Sequence, residues 1–221
     1  MSELITFQEL YQTRFNDRVT SSLAFSINES YRLLEEFVEK NPILQIKTAR
    51  KAHGHLRNSI VEIILKREII NRKLPIHYKE EVISNNGYSY LLMEFQDIVM
   101  TVHKTRTGVS VPRPAKNRIS RSYQNRQLSL FEEPPVIELK TLPYYVMLTH
   151  GGKELSKPDY IKIGAVNPGA KSWVDDPIDI TNKMASISPL SKEEDDEIEL
   201  DFNSAVKQML NKGVLSNGGI K

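Results

Sequence analysis

An α+β fold is expected, with N-terminal helices packed on a mainly antiparallel sheet of about five strands. Three observations point to it. Apolar residues recur at helical spacing over residues 21–41 and about 43–72. The pattern then changes to period-two alternation over residues 80–104. Strand-type runs return at 136–149 and 159–166, with turn residues between them.

The first helix is expected over residues 21–41. Ser22 or Asn28 would cap it, and Ile27, Tyr31, Leu34, Phe37 and Val38 fall on one side. Asn41-Pro42 ends it, because the residue before proline avoids the helical region. A second helix fits about 43–72. Leu56, Ile60, Ile63, Ile64 and Arg67 form its buried stripe and border; Gly54 weakens its first half, and Pro75 lies just past its end.

In the alternating stretch, Asn86-Gly87 supplies a tight hairpin turn and Gln96-Asp97 the next. Leu92, Ile98, Met100 and Val102 are expected on one face, and Leu91, Met93 and Phe95 on the other. Apolar residues on both faces imply a sheet covered in part on each side, with the helices as the natural cover. Gly151-Gly152 through Pro158 would join the last two strands as a long hairpin loop. Asn167-Pro168-Gly169 is a turn, and Trp173 caps the core edge. A short amphipathic helix is expected near 202–212, ended by Gly213. The chain thus divides into helices and first strands (1–104), a basic exposed linker (105–135), the remaining strands of the same domain (136–185), and an acidic segment with a short helix (186–221).

Composition excludes several classes. The 221-residue chain has no cysteine, so disulfide scaffolds, thiolate zinc sites, iron–sulfur clusters and cysteine nucleophiles are ruled out. No apolar run approaches the roughly 20 residues a membrane-spanning helix needs. The N-terminus carries Glu3 and Glu9 and does not read as a secretory signal, so a cytoplasmic protein with no cofactor and no membrane partner is expected.

The net charge of +2 hides an asymmetry. All twelve arginines lie at or before Arg126; residues 1–126 carry +7 and residues 127–221 carry −5. From Ile98 to Phe131 there is no acid, and seven cations lie there: Lys104, Arg106, Arg113, Lys116, Arg118, Arg121 and Arg126. Arginine presents a planar fork suited to phosphate, and Tyr123 offers a ring on which a base can stack, so this run is the candidate nucleic-acid contact. Residues 193–201 hold seven acids, either a solvated face or a segment that folds over the basic run as a mimic of nucleic-acid charge.

At the end of the basic run stand Gln127, Leu128, Ser129, Leu130 and Phe131, followed by Glu132-Glu133-Pro134-Pro135. The segment resembles the short peptide by which bacterial polymerases, mismatch-repair proteins and other replication factors dock on the β sliding clamp, Gln-Leu-Ser/Asp-Leu-Phe, and matches it at all five positions. An extended peptide of this kind inserts apolar anchors into a preformed pocket while a polar residue sets the register. The resemblance implies Leu130 and Phe131 as anchors, Gln127 as the polar key and Leu128 in a lesser pocket. The alternative is that Leu128, Leu130 and Phe131 begin the following strand or patch the core.

Catalytic signals are weaker. Glu138-Leu139-Lys140 has the Glu-x-Lys form of one large nuclease superfamily, and Asp97 or Glu94 would supply the second acid. His53 and His55, two apart on a helix, do not share a face, which disfavours a joint metal site. His103 and His150 are lone histidines near strands. No nucleophile elbow or Gly-rich phosphate loop is present. The expected function is a non-enzymatic, replication-associated or phage-type protein that docks on the clamp and contacts DNA, as recruiter or inhibitor. The alternatives are a metal-dependent nuclease or nucleic-acid-targeting toxin, and an antitoxin or regulator that binds a protein partner.

Overall fold

The computed structural model describes residues 6–72, 74–83, 88–128 and 143–183. The fold is α+β, as the pattern predicts, with six strands rather than about five.

Helix α1 (Phe7–Arg14) is opened by a capping box. Thr6 accepts from the Glu9 amide, and the Glu9 carboxylate accepts from the Thr6 amide at 2.8 Å. Helix α2 (Asp17–Lys40) starts earlier than the apolar spacing alone indicated. Its cap is Asn16, whose Oδ1 accepts from the Val19 amide at 2.9 Å, rather than Ser22 or Asn28. Val19 and Leu23 extend the buried stripe of Ile27, Tyr31, Leu34 and Val38, so the helix gains core on both sides of the expected start. Asn41-Pro42 ends it as expected.

The second expected helix is broken. Chain order runs α3 (Pro42–Gln45), a 3-10 turn (Ala49–Ala52) and α4 (His53–Asn71). His53 Nε2 donates to the Leu44 carbonyl at 2.9 Å and closes the joint. Gly54 therefore lies in the first turn of α4, where a weak helix former costs little. Leu56, Ile60 and Ile64 pack on Leu34 and Val38 of α2.

The sheet has the order β1 (His77–Ile83), β2 (Tyr88–Phe95), β3 (Ile98–Lys104), β4 (Tyr144–Gly151), β5 (Tyr160–Ala165), β6 (Ile178–Asp179). All neighbours are antiparallel except β3 and β4, which are parallel. A parallel pair cannot be closed by a tight turn, so β3 and β4 are not the two strands of a hairpin, and a long connection separates them in the chain.

The face assignment also needs correction. The Gln96-Asp97 turn pairs Phe95 with Ile98 and Met93 with Met100. Directly opposed residues point to the same side. Ile98, Met100 and Val102 therefore join Leu91, Met93 and Phe95 on the face that meets Phe7, Leu10, Val19, Leu23, Ile27 and Tyr31. Leu92 instead joins Val99, Tyr145 and Met147 on the opposite face, against Ile119, Val111 and Trp173. The 152–159 loop joins β4 to β5 as expected, and the Ala170 amide bonds the Asn167 carbonyl at 2.9 Å with Gly169 at φ 87. The Asn86-Gly87 turn, the strand signal over 136–142, the acidic run and the helix near 202–212 lie outside the described residues. Among the described residues, no helix is long and apolar enough to cross a membrane.

Candidate functional site

The basic run is built into the fold along part of its length. Helix α5 (Lys116–Ser122) continues into a 3-10 turn (Tyr123–Leu128), where a uniformly exposed linker was expected. Two buried polar side chains hold it down. Asn125 spans two strands: its Nδ2 donates to the Tyr145 carbonyl at 2.7 Å and the Val166 carbonyl at 2.9 Å, and its Oδ1 accepts from the Tyr145 amide at 2.8 Å. Ser122 Oγ donates to the Ile119 carbonyl at 2.7 Å and accepts from the Gly169 amide at 2.9 Å. The Trp173 indole donates to the Val109 carbonyl at 3.0 Å and ties down the loop before the helix.

The candidate cations divide accordingly. Arg121 pairs with Glu81 of β1 at 2.5 Å, and Tyr90 donates to the same carboxylate at 2.6 Å. Burial pushes the Glu81 carboxyl up, but the hydrogen bonds from Tyr90 and Arg121 outweigh it and hold it below the usual range. Arg118 donates through Nε to the Arg113 carbonyl at 3.0 Å, and burial lowers its basicity. Both arginines thus make contacts within the fold. Lys104, Arg106, Arg113, Lys116 and Tyr123 are exposed. Arg106, Arg113 and Lys116 have no acidic partner among the described residues. Partial desolvation lowers the basicity of the Lys104 ammonium, and nearby Arg57 adds to the effect.

Gln127 and Leu128 close the 3-10 turn in the backbone path, two residues beyond the Asn125 anchor. The side chains of Arg126, Gln127 and Leu128, and all of Ser129, Leu130 and Phe131, lie outside what is described, as do Glu138 and Lys140.

Asp97 is committed elsewhere. Arg14 of α1 grips it through Nε at 2.8 Å and NH2 at 3.1 Å, and that hydrogen bond holds the carboxyl below its ordinary range. Glu94 pairs with Lys79 at 2.7 Å. Each carboxylate thus has a cation partner within the fold, and among the described residues no three His, Asp or Glu side chains gather to hold a metal.

Sequence reasoning missed a polar cluster between α2, α4 and β4. Arg57 is buried, its guanidinium 4.1 Å above the Tyr31 ring, and its NH2 donates to the Glu154 carbonyl at 3.2 Å. The Tyr31 hydroxyl lies 3.1 Å from His150 Nδ1. Burial, with Arg57 and Lys104 nearby, drives the His150 pKa down to about 3. Burial raises Tyr31 to about 12. On the other face His103 Nε2 meets the Thr101 hydroxyl at 2.8 Å, and burial first, then Arg118 and His150, lowers its pKa to about 3. Both shifts favour the neutral imidazole; His150 is fully buried and His103 half-buried. The available signal for Arg57 was its position next to Leu56, at the border of the buried stripe of α4.

No protein-family model matches the chain, and no curated protein or solved structure matches it either.

Proposed function

We propose that this protein docks on the bacterial β sliding clamp through Gln127, Leu128, Ser129, Leu130 and Phe131, and contacts DNA through its exposed cations, as a non-enzymatic recruiter or inhibitor. The five-position motif carries the reading. Two features of the fold support it. Asn125 ties the chain to the sheet two residues before Gln127, so a clamp docked on the motif would sit close to the sheet. The exposed Lys104, Arg106, Arg113 and Lys116 precede the motif in the chain, and a clamp encircling DNA would bring phosphates close to them.

The test is binding of the purified chain to a purified clamp, followed by fluorescence anisotropy in competition with a synthetic clamp-binding peptide. Competitive displacement is expected. Leu130→Ala with Phe131→Ala should abolish the binding, and an unchanged affinity in that double variant overturns the reading. Clamp-dependent primer extension then separates the two roles: an inhibitor slows extension, and a recruiter leaves it intact.

A further inference from the structure

The two edges of the sheet are unlike. Strand β6 is two residues long, which leaves little backbone for another strand to pair with. Strand β1 runs for seven residues, bonds only β2, and among the described residues its other side has no strand beside it. It is exposed almost throughout, including Tyr78 (39%), Val82 (69%) and Ile83 (42%). Such an edge is a template for strand addition.

The charges on β1 indicate what would pair with it. A two-fold axis normal to the sheet keeps each face on its own side. Opposed positions must then have numbers of equal parity, which leaves three central registers. Centring on Lys79 sets lysine against lysine and Tyr78 against Glu80, and centring on Glu81 sets Glu80 against Val82 and Lys79 against Ile83; each leaves two of the seven residues unpaired. Centring on Glu80 sets Lys79 against Glu81 twice, Tyr78 against Val82 twice and His77 against Ile83 twice, with all seven residues used. The two Glu80 carboxylates would meet at the axis, but each already has the Lys66 ammonium of α4 as an ion partner. The meeting point is then a cluster of two acids and two bases. Aromatic–aliphatic and opposite-charge cross-strand pairs are each stabilising.

We propose that β1 pairs antiparallel with β1 of a second copy about Glu80, joining two six-stranded sheets into one of twelve. This pairing does not rest on clamp or DNA binding.

The chain's lack of cysteine makes the register directly testable. Directly opposed Cβ atoms in an antiparallel pair are about 4.5–5.5 Å apart, within reach of a short cross-link. Positions offset by four residues lie about 13 Å apart at the strand rise. Glu80→Cys should therefore cross-link to itself under mild oxidation or with a short bis-maleimide. Tyr78→Cys and Val82→Cys should each fail alone and succeed when mixed. All three side chains are at the surface, and circular dichroism would show that each variant folds. Sedimentation of the unsubstituted protein from low micromolar to millimolar concentration should show a monomer–dimer equilibrium, which Val82→Lys weakens at least tenfold. A monomer at every concentration overturns the proposal. So does cross-linking that is absent in the Glu80→Cys variant, or equally efficient at Tyr78→Cys and Val82→Cys alone.

Discussion

Replacing Asn125 by alanine should be among the most damaging single changes to the domain. The side chain is fully buried and makes three hydrogen bonds, to the amide and carbonyl of Tyr145 and the carbonyl of Val166. Each such bond is worth about 1 kcal/mol net, and each buried partner left unsatisfied costs about 1–3 kcal/mol. The carbonyls tolerate the loss better than the Tyr145 amide, so the total expected is about 3–5 kcal/mol. At about 2–4 °C per kcal/mol for a chain of this size, the thermal midpoint should fall by roughly 6–20 °C. Asn125→Asp keeps an acceptor for the amide but aims a carboxylate at two carbonyl oxygens, and it should be no more stable than the alanine variant. Urea unfolding followed by tryptophan fluorescence reads the difference, since Trp173 packs on the same sheet face. A loss below about 1 kcal/mol would refute the argument that Asn125 anchors this segment.

Leu130→Ala with Phe131→Ala should remove clamp binding with the melting temperature unchanged; a large fall in melting temperature would mark the two residues as core. Single alanine replacements of Arg106, Arg113 and Lys116 should each weaken DNA binding independently of sequence and reduce the slope of log affinity against log salt by about 1, read by anisotropy titrations at several salt concentrations. Gly151→Ala has no room, because an added Cβ would stand 2.6 Å from the Thr105 carbonyl oxygen and 2.2 Å from the Tyr160 hydroxyl. It should cost about 1–3 kcal/mol in urea unfolding. Acid should destabilise the fold through His103 and His150. Their pKa values are lowered from 6.5 to about 3, so below pH 6.5 the unfolded chain binds protons that the native state refuses. Stability should hold above that pH and fall as pH drops toward about 3, by at most about 1.4 kcal/mol per pH unit per histidine. His150→Gln should flatten the dependence of unfolding free energy on pH; an unaltered slope would mean that His150 is not buried neutral.

The sequence by itself determined the fold class, because hydrophobic period is local. Ile27, Tyr31, Leu34 and Val38 announce a helix, and the Gln96-Asp97 pair between two alternating runs announces a hairpin, without reference to anything distant. The turn at Asn167, the 152–159 loop and the stop at Asn41-Pro42 were legible for the same reason. The clamp-type motif proposed above rests on the sequence alone, because a linear peptide is read without reference to a fold.

Only the tertiary structure decided how the pieces meet. The parallel pairing of β3 with β4 depends on where the long connection between them lands, and nothing in either strand's alternation encodes a neighbour's direction. The faces of β2 and β3 hung on one pairing, Phe95 with Ile98, since a one-residue shift of register moves every side chain to the other side. Residues 105–127 read as linker because their anchors are polar. Ser122 and Asn125 hold the segment by hydrogen bonds to distant backbone, and such bonds leave no periodic trace in sequence. For the same reason the division of the cations was invisible. Whether Arg121 faces solvent or Glu81 is a matter of which strand lies beside it in space, forty residues back along the chain.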